Sequence, residues 1–378
     1  MAQILTGGFL AFLLSFFIMP FVIKLARDKK LYDLPDERKT HLSPIPSLGG
    51  IGIFVGFIIS LLLVNNFIGS VPEMQYYIAA FFILFILGIL DDIFILSAPK
   101  KVIGQIIVAT ILVMKGHLMI TNLHGFLGIG ELNTAVSYFI TFFVLLLIIN
   151  SFNLIDGVDG LAGSIGLITL TIFATFLFIN NDIPDALVAF TLAGSLMAFL
   201  IYNFHPAKIF MGDSGSMLIG LVTAVIVLRF LTNANIFAAN ASSNFTMAFG
   251  ILLLPLMDVL RVFCLRIFKW RSPFAPDRNH LHHLLLNKGF SHKQVTFILV
   301  SLSVLFGTLA FIFQSYNINL VLFSLAAFFF AAVAALKFTP TKYKWLHVVT
   351  DKDIIKANKK VKVVSIYSTE KVAAGEED

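Results

Sequence analysis

The stretch QILTGGFLAFLLSFFIMPFVIKLA (residues 3–26), followed at once by Arg27-Asp28-Lys29-Lys30, decides the class of this chain. A hydrocarbon core takes about 20 apolar residues per helix, and this segment meets that length with Lys24 as its only charge. No positive residue precedes it, and Lys24, Arg27, Lys29 and Lys30 lie at its end. That order is the reverse of a cleaved secretory signal. It predicts a retained span, with the N-terminus outside and residues 27–47 inside.

Working outward, ten further apolar stretches follow: 48–69, 75–92, 102–119, 134–151, 160–180, 185–204, 211–232, 244–268, 292–314 and 317–338. Lys115 and His117 interrupt the fourth. Asn181, Asp182 and Pro184 mark a tight turn between the sixth and seventh spans. Of the 27 Lys and Arg residues, only Lys115 and Arg229 then fall on the outer side. This asymmetry is the positive-inside signature and supports both the count of eleven and a cytoplasmic C-terminus.

Composition agrees. The chain is 58% hydrophobic and 13% charged, with 41 Phe, whereas a soluble domain carries about 25% charged residues. The expected fold is all-α, a polytopic transmembrane helical bundle over 1–338, followed by a polar cytoplasmic tail over 339–378. Lysines dominate that tail until its acidic end at Glu376, Glu377 and Asp378, which predicts a solvated appendage drawn to anionic headgroups. The net charge of +6 follows from loop placement and points to no nucleic acid. The single cysteine, Cys264, allows no internal disulfide.

The polar chemistry collects at the inner boundary. Asp91 and Asp92 close the third span; Asp156 and Asp159 sit in NSFNLIDGVDG (150–160); Asp213 sits in MGDSGS (211–216). Asp258 is the exception, lying within the ninth span. An acid near hydrocarbon costs a few kcal/mol, so five at one boundary require a compensating partner. Mg²⁺, which takes carboxylates together with phosphate oxygens, is the economical one. A lone Asp at a helix end is ordinarily a cap, but that reading does not cover the set.

Glycines 157, 160, 163, 212 and 215 permit close backbone approach to a phosphate. Asn150 and Asn153 offer donors and acceptors to a base or sugar. Ser214 sits in a hydrolase-like turn, but its run ends in Ser216 rather than Gly and no base is paired with it. In PDRNHLHH (276–283), His280 and His283 share a helix face and His282 points away. Anion contacts by His280 and Arg278 are therefore favoured over chelation. Arg38 and Lys39 lie in a proline-stiffened inner loop, suited to an anionic substrate.

These motifs, in this order over residues 31–293, resemble the polyprenyl-phosphate N-acetylhexosamine-1-phosphate transferase family. The resemblance rests on Asp33–Gly50, Leu90–Asp92, Asn150–Leu161, Phe210–Ser216 and Pro276–His283. It implies transfer of an N-acetylhexosamine 1-phosphate from a UDP-sugar to undecaprenyl phosphate, with Mg²⁺, at a bacterial cytoplasmic membrane. It assigns Mg²⁺ to Asp213 with Asp92. It assigns the lipid phosphate and catalysis to Asp91 and Asp92, and links Asn153, Asp156 and Asp159 to the nucleotide-sugar site, with Asp156, Asp159, His280 and His282 counted among the catalytic residues. His280, His282 and Arg278 fall near the phosphates, with Arg38 and Lys39 in the first basic loop. A homodimer is carried by the resemblance alone.

The pentapeptide branch, phospho-N-acetylmuramoyl-pentapeptide transferase, has three adjacent histidines after a proline. Here Leu281 breaks the run, which resembles the branch using UDP-N-acetylglucosamine. An anionic-substrate transporter is the reading from another class. Its carboxylates would lie near the bilayer midplane, as only Asp258 does here.

Overall fold

A backbone in hydrocarbon must satisfy its own hydrogen bonds, so apolar spans become helices. The computed structural model describes residues 2–29, 31–33, 45–64, 71–232, 241–270 and 279–338. Arg38, Lys39, Arg278 and the tail 339–378 lie outside the described residues.

The order is α1 (Ala2–Asp28), β1 (Tyr32–Asp33), β2 (Ile45–Pro46), α2 (Gly49–Val64), α3 (Met74–Phe94) and α4 (Ala98–Met114). It continues with α5 (Thr134–Ile155), α6 (Leu161–Ile179), α7 (Ile183–Asn203), α8 (Gly212–Thr232) and α9 (Ala241–Phe268). The last three are α10 (Leu281–Asn287), α11 (His292–Phe313) and α12 (Ile318–Phe338). Among the described residues, nine helices are long and apolar enough to cross a membrane. The β1–β2 pair is a two-residue antiparallel ladder, Tyr32 opposite Pro46 and Asp33 opposite Ile45. Among the described residues, the fold is otherwise all-α apart from an isolated bridge between Asn122 and Glu131.

Local chemistry sets several boundaries. Asn133 caps α5 by accepting from the Val136 amide at 2.9 Å. Ser291 and Gln294 form a reciprocal capping box on α11. The fourth span sits differently from its expected place at 102–119. Pro99 suits a first turn and starts α4 at Ala98, while Lys115 closes it. The shift puts Lys101 into that first turn.

Helix α8 is the central post, with 83% of its apolar window buried. It packs against α3, α5, α2 and α6. Where α3 and α2 cross its N-terminus, a side chain on Gly88 would strike the Ser214 backbone, and one on Gly50 would strike the Gly215 backbone. Small residues let backbones meet where the membrane supplies little hydrophobic drive. This close approach delivers Asp91 and Asp92, one turn beyond Gly88, to the start of α8.

The far end of α8 carries Arg229, which pairs with the buried Asp185 in the first turn of α7. Removing one partner of a buried pair costs about 3–5 kcal/mol because a charge is stranded. Arg229→Ala is expected to lower the melting temperature sharply, with Asp185→Ala/Arg229→Ala recovering much of the loss. Thermal unfolding of the detergent-solubilised protein measures both.

Candidate active site

Helix α3 ends at Ile95, in the left-handed conformation (φ 51°), and the two aspartates before it turn in different directions. Asp92 reaches the start of α8. Its Oδ1 accepts the Asp213 amide at 2.6 Å, and its Oδ2 accepts the Ser214 amide at 3.1 Å and the Ser214 hydroxyl at 2.6 Å. A carboxylate at a helix N-terminus meets unpaired N–H groups and the positive end of the dipole. Gly212 (φ +75°) makes the contact feasible, since a side chain there would lie 2.7 Å from both Asp92 oxygens. Both oxygens of Asp92 are thus engaged by protein donors, as both oxygens of Asp213 are by Lys101 and Asn153. Ser214 spends its hydroxyl on the same carboxylate.

Asp91 is buried. Its Oδ1 accepts the Leu96 amide at 2.7 Å and its Oδ2 pairs with the Lys101 ammonium. Lys101 also donates to Asp213 Oδ2 at 2.6 Å, so one ammonium joins two acids from α3 and α8. Asn153 donates to Asp213 Oδ1 at 2.7 Å and to the Ser216 hydroxyl at 3.0 Å. Asn150, one turn back, donates to Gln105 Oε1 at 2.8 Å. Its amide links α5 to α4.

Asp156 and Asp159, three residues apart, have opposite surroundings. Asp156 has no hydrogen-bond partner among the described residues. Burial, with Asp213, Asp92 and Asp159 nearby, pushes its carboxyl up to about 8. Asp159 is buried and clasped. His205 Nδ1 lies 2.7 Å from Oδ2, His292 Nδ1 lies 3.2 Å from Oδ1, and the Ala207 amide donates to Oδ2 at 3.3 Å. Burial alone would raise this carboxyl, but bonds from His292, His205 and Ala207 hold it below the usual carboxylate range. These spacings are hydrogen-bond lengths, and the clasp ties the 156–160 loop to the segment after α7 and to the start of α11.

The histidine motif packs against the same loop. His280 and His282 are buried, with near-parallel rings 5.8 Å apart. A side chain on Gly157 would come within 2.5 Å of His282 Nε2. Burial and the neighbouring histidines push His282 down to about 3. Gly157, Gly160, Gly163, Gly212 and Gly215 all have protein against their open sides. At each of them the lack of a side chain makes room for neighbouring protein atoms.

The structure therefore brings Asp91, Asp92, Asn150, Asn153, Asp156 and Asp213 to one end of the bundle, with Asp159, His280 and His282 beside them. Lys101, Gln105, His205 and His292 were missed. Lys101 had a signal, the helix start at Ser97-Ala-Pro99. The others meet their partners only through tertiary contacts. Asp213 and Asp156 offer oxygen donors alone, and Asp156 lies among like charges. That donor set suits a hard divalent cation of the Mg²⁺ class.

Asp159→Ala is expected to cost about 2–3 kcal/mol by stranding charge-assisted donors, read as a lower melting temperature, whereas Asp156→Asn leaves stability unchanged or raised. The Asp159 carboxyl lies lower folded than unfolded. Its contribution is therefore complete above the unfolded value of about 3.9 and is lost as pH falls through the lower folded one. The melting-temperature gap between wild type and Asp159→Ala is expected to close below that window.

The glycosyl transferase family 4 model matches residues 74–231, the segment that carries all of these acids except Asp258. The decaprenyl-phosphate N-acetylglucosaminephosphotransferase of Mycobacterium leprae is 33% identical, over 77% of this chain and 79% of its own. The undecaprenyl-phosphate alpha-N-acetylglucosaminyl 1-phosphate transferase of Yersinia pestis is 32% identical over 77% and 79%. Its Escherichia coli K12 counterpart is 30% identical over 84% and 88%. With that coverage and the acidic helix ends inside the matched segment, the chain belongs to glycosyl transferase family 4.

Proposed function

We propose that this protein transfers N-acetylglucosamine 1-phosphate from its UDP-sugar to a polyprenyl phosphate, undecaprenyl phosphate in the bacterial cytoplasmic membrane. An oxygen of the lipid phosphate attacks the sugar-bearing phosphorus, the bond to UMP breaks, and a lipid diphosphate sugar remains. The observation that carries this reading is the Lys101 ammonium held between Asp91 and Asp213, beside an Asp156 with no hydrogen-bond partner among the described residues. Such a cluster asks for a multiply charged anion accompanied by a cation. The relatives' names supply the substrate class.

Asp213 and Asp156 would hold Mg²⁺, which supplies Lewis-acid polarisation and charge neutralisation at the diphosphate when bound. Lys101 would shift toward phosphate oxygens and offset charge on departing UMP, its ammonium positioned beforehand by Asp91. Asn153 orients the Asp213 carboxylate, and Asp92 sets the position of α8. A phosphate monoester is mostly dianionic at neutral pH, its second pKa being about 6. No strong general base is needed, and the work is positioning and electrostatics. A site at helix ends lets the polyprenyl chain stay in hydrocarbon while the UDP-sugar arrives from water. Asp258, the acid that favoured a transporter, is tied to His280 instead of standing alone at mid-membrane.

Purified protein given labelled UDP-N-acetylglucosamine and undecaprenyl phosphate is expected to form lipid product only with Mg²⁺. Asp213→Asn and Lys101→Met should each lose about 10²-fold or more in kcat. Mg²⁺ alone should raise the wild-type melting temperature and leave that of Asp213→Asn unmoved. Product formed equally well in chelator, or by Asp213→Asn, would overturn the assignment.

A further inference from the structure

Asp258, nearly three turns before the end of α9, is almost fully buried at 2% exposure. The segment just before α10 wraps onto it. Its Oδ2 lies 3.0 Å from His280 Nδ1, and both oxygens accept the Leu281 amide, at 3.1 and 3.2 Å. Arg261, one turn along α9, donates to Asp258 Oδ1 at 2.8 Å and to the Asn279 carbonyl at 2.5 Å. Residues 279, 280 and 281 are thus each held by the same acid–arginine pair.

An ionised carboxylate only accepts, so the His280 Nδ1 must carry the hydrogen. The other ring nitrogen is then the atom left to act. His280 is 3% exposed, and its Nε2 has no partner among the described residues. Burying such a group unpaired is costly, which an arrangement built only to cap α10 would avoid by placing an apolar ring here. The stacked His282 ring connects His280 to Gly157 and so to the loop that carries Asp156. Charged and titratable groups around the pair are Arg261 from α9, His282 and His283 from α10, and His292 from α11.

We propose that Asp258 is a positioning residue for His280, holding the ring by Nδ1–H so that Nε2 alone is presented to the substrate. The inference rests on the transfer reaction above for what Nε2 meets, and on geometry alone for the tautomer.

The test uses full-length protein labelled with ¹⁵N-histidine in lipid nanodiscs, with His280→Gln to assign the signal. The expected wild-type spectrum shows His280 protonated at Nδ1. In Asp258→Asn the side-chain amide faces the ring as a donor, and the His280 signal converts to the Nε2–H form. Transfer kinetics should show kcat down by about 10²-fold with a much smaller change in KM, beside a lowered melting temperature because the buried Arg261 loses its carboxylate partner. Because Asp258 acts through His280, Asp258→Asn/His280→Gln should be no slower than His280→Gln alone.

A wild-type His280 protonated only at Nε2 would overturn the proposal, and does so even where Asp258→Asn fails to fold. Additive losses in the double variant, or wild-type kcat in Asp258→Asn, would overturn it as well. A protein that transfers no sugar phosphate but shows the Nδ1–H signal would instead count against the transfer reaction.

Discussion

The contact between the Asp92 carboxylate and the first amides of α8 is the constraint on which the rest of the site depends. A helix that starts inside a bundle exposes N–H groups to a medium that cannot solvate them. Asp92 answers two of them from another helix and so welds the end of α3 to the start of α8. Gly88 and Gly50 let the backbones come close enough for that weld. Once it forms, Asp91 and Asp213 have to share a neighbourhood. Their mutual repulsion is relieved by Lys101, which the new start of α4 delivers.

Charge is managed differently at the two ends of α8. At the far end, Arg229 and Asp185 neutralise each other and the account closes within the protein. At the site end, Asp156, just after α5, lies among like charges with no hydrogen-bond partner among the described residues. Structural ion pairs are complete in themselves.

The histidine motif follows the same logic. His282, buried and neutral, fills the space that Gly157 leaves, while His280 is held by Asp258 and Arg261 with one nitrogen unspent. Asp159 spends its whole carboxylate on His205, His292 and Ala207. Of two acids three residues apart, one is clasped and the other has no hydrogen-bond partner among the described residues. Spacing in the chain carries no sign of that division, because the partners come from segments some 45 to 135 residues downstream.

By itself, the sequence determined that the chain lies in a membrane as a helical bundle and that its acids gather at one boundary. Hydropathy and charge asymmetry act through the solvent, and the solvent reads them locally, residue by residue. The ordered acidic motifs likewise carried the family resemblance. Only the tertiary structure decided which carboxylates are free. Asp92 became a cap, Asp159 a clasp and Asp258 a brace for His280, while Lys101 changed from a loop charge to the bridge of the site. A carboxylate's role depends on which donors reach it within about 3 Å, and those donors arrive by helix packing.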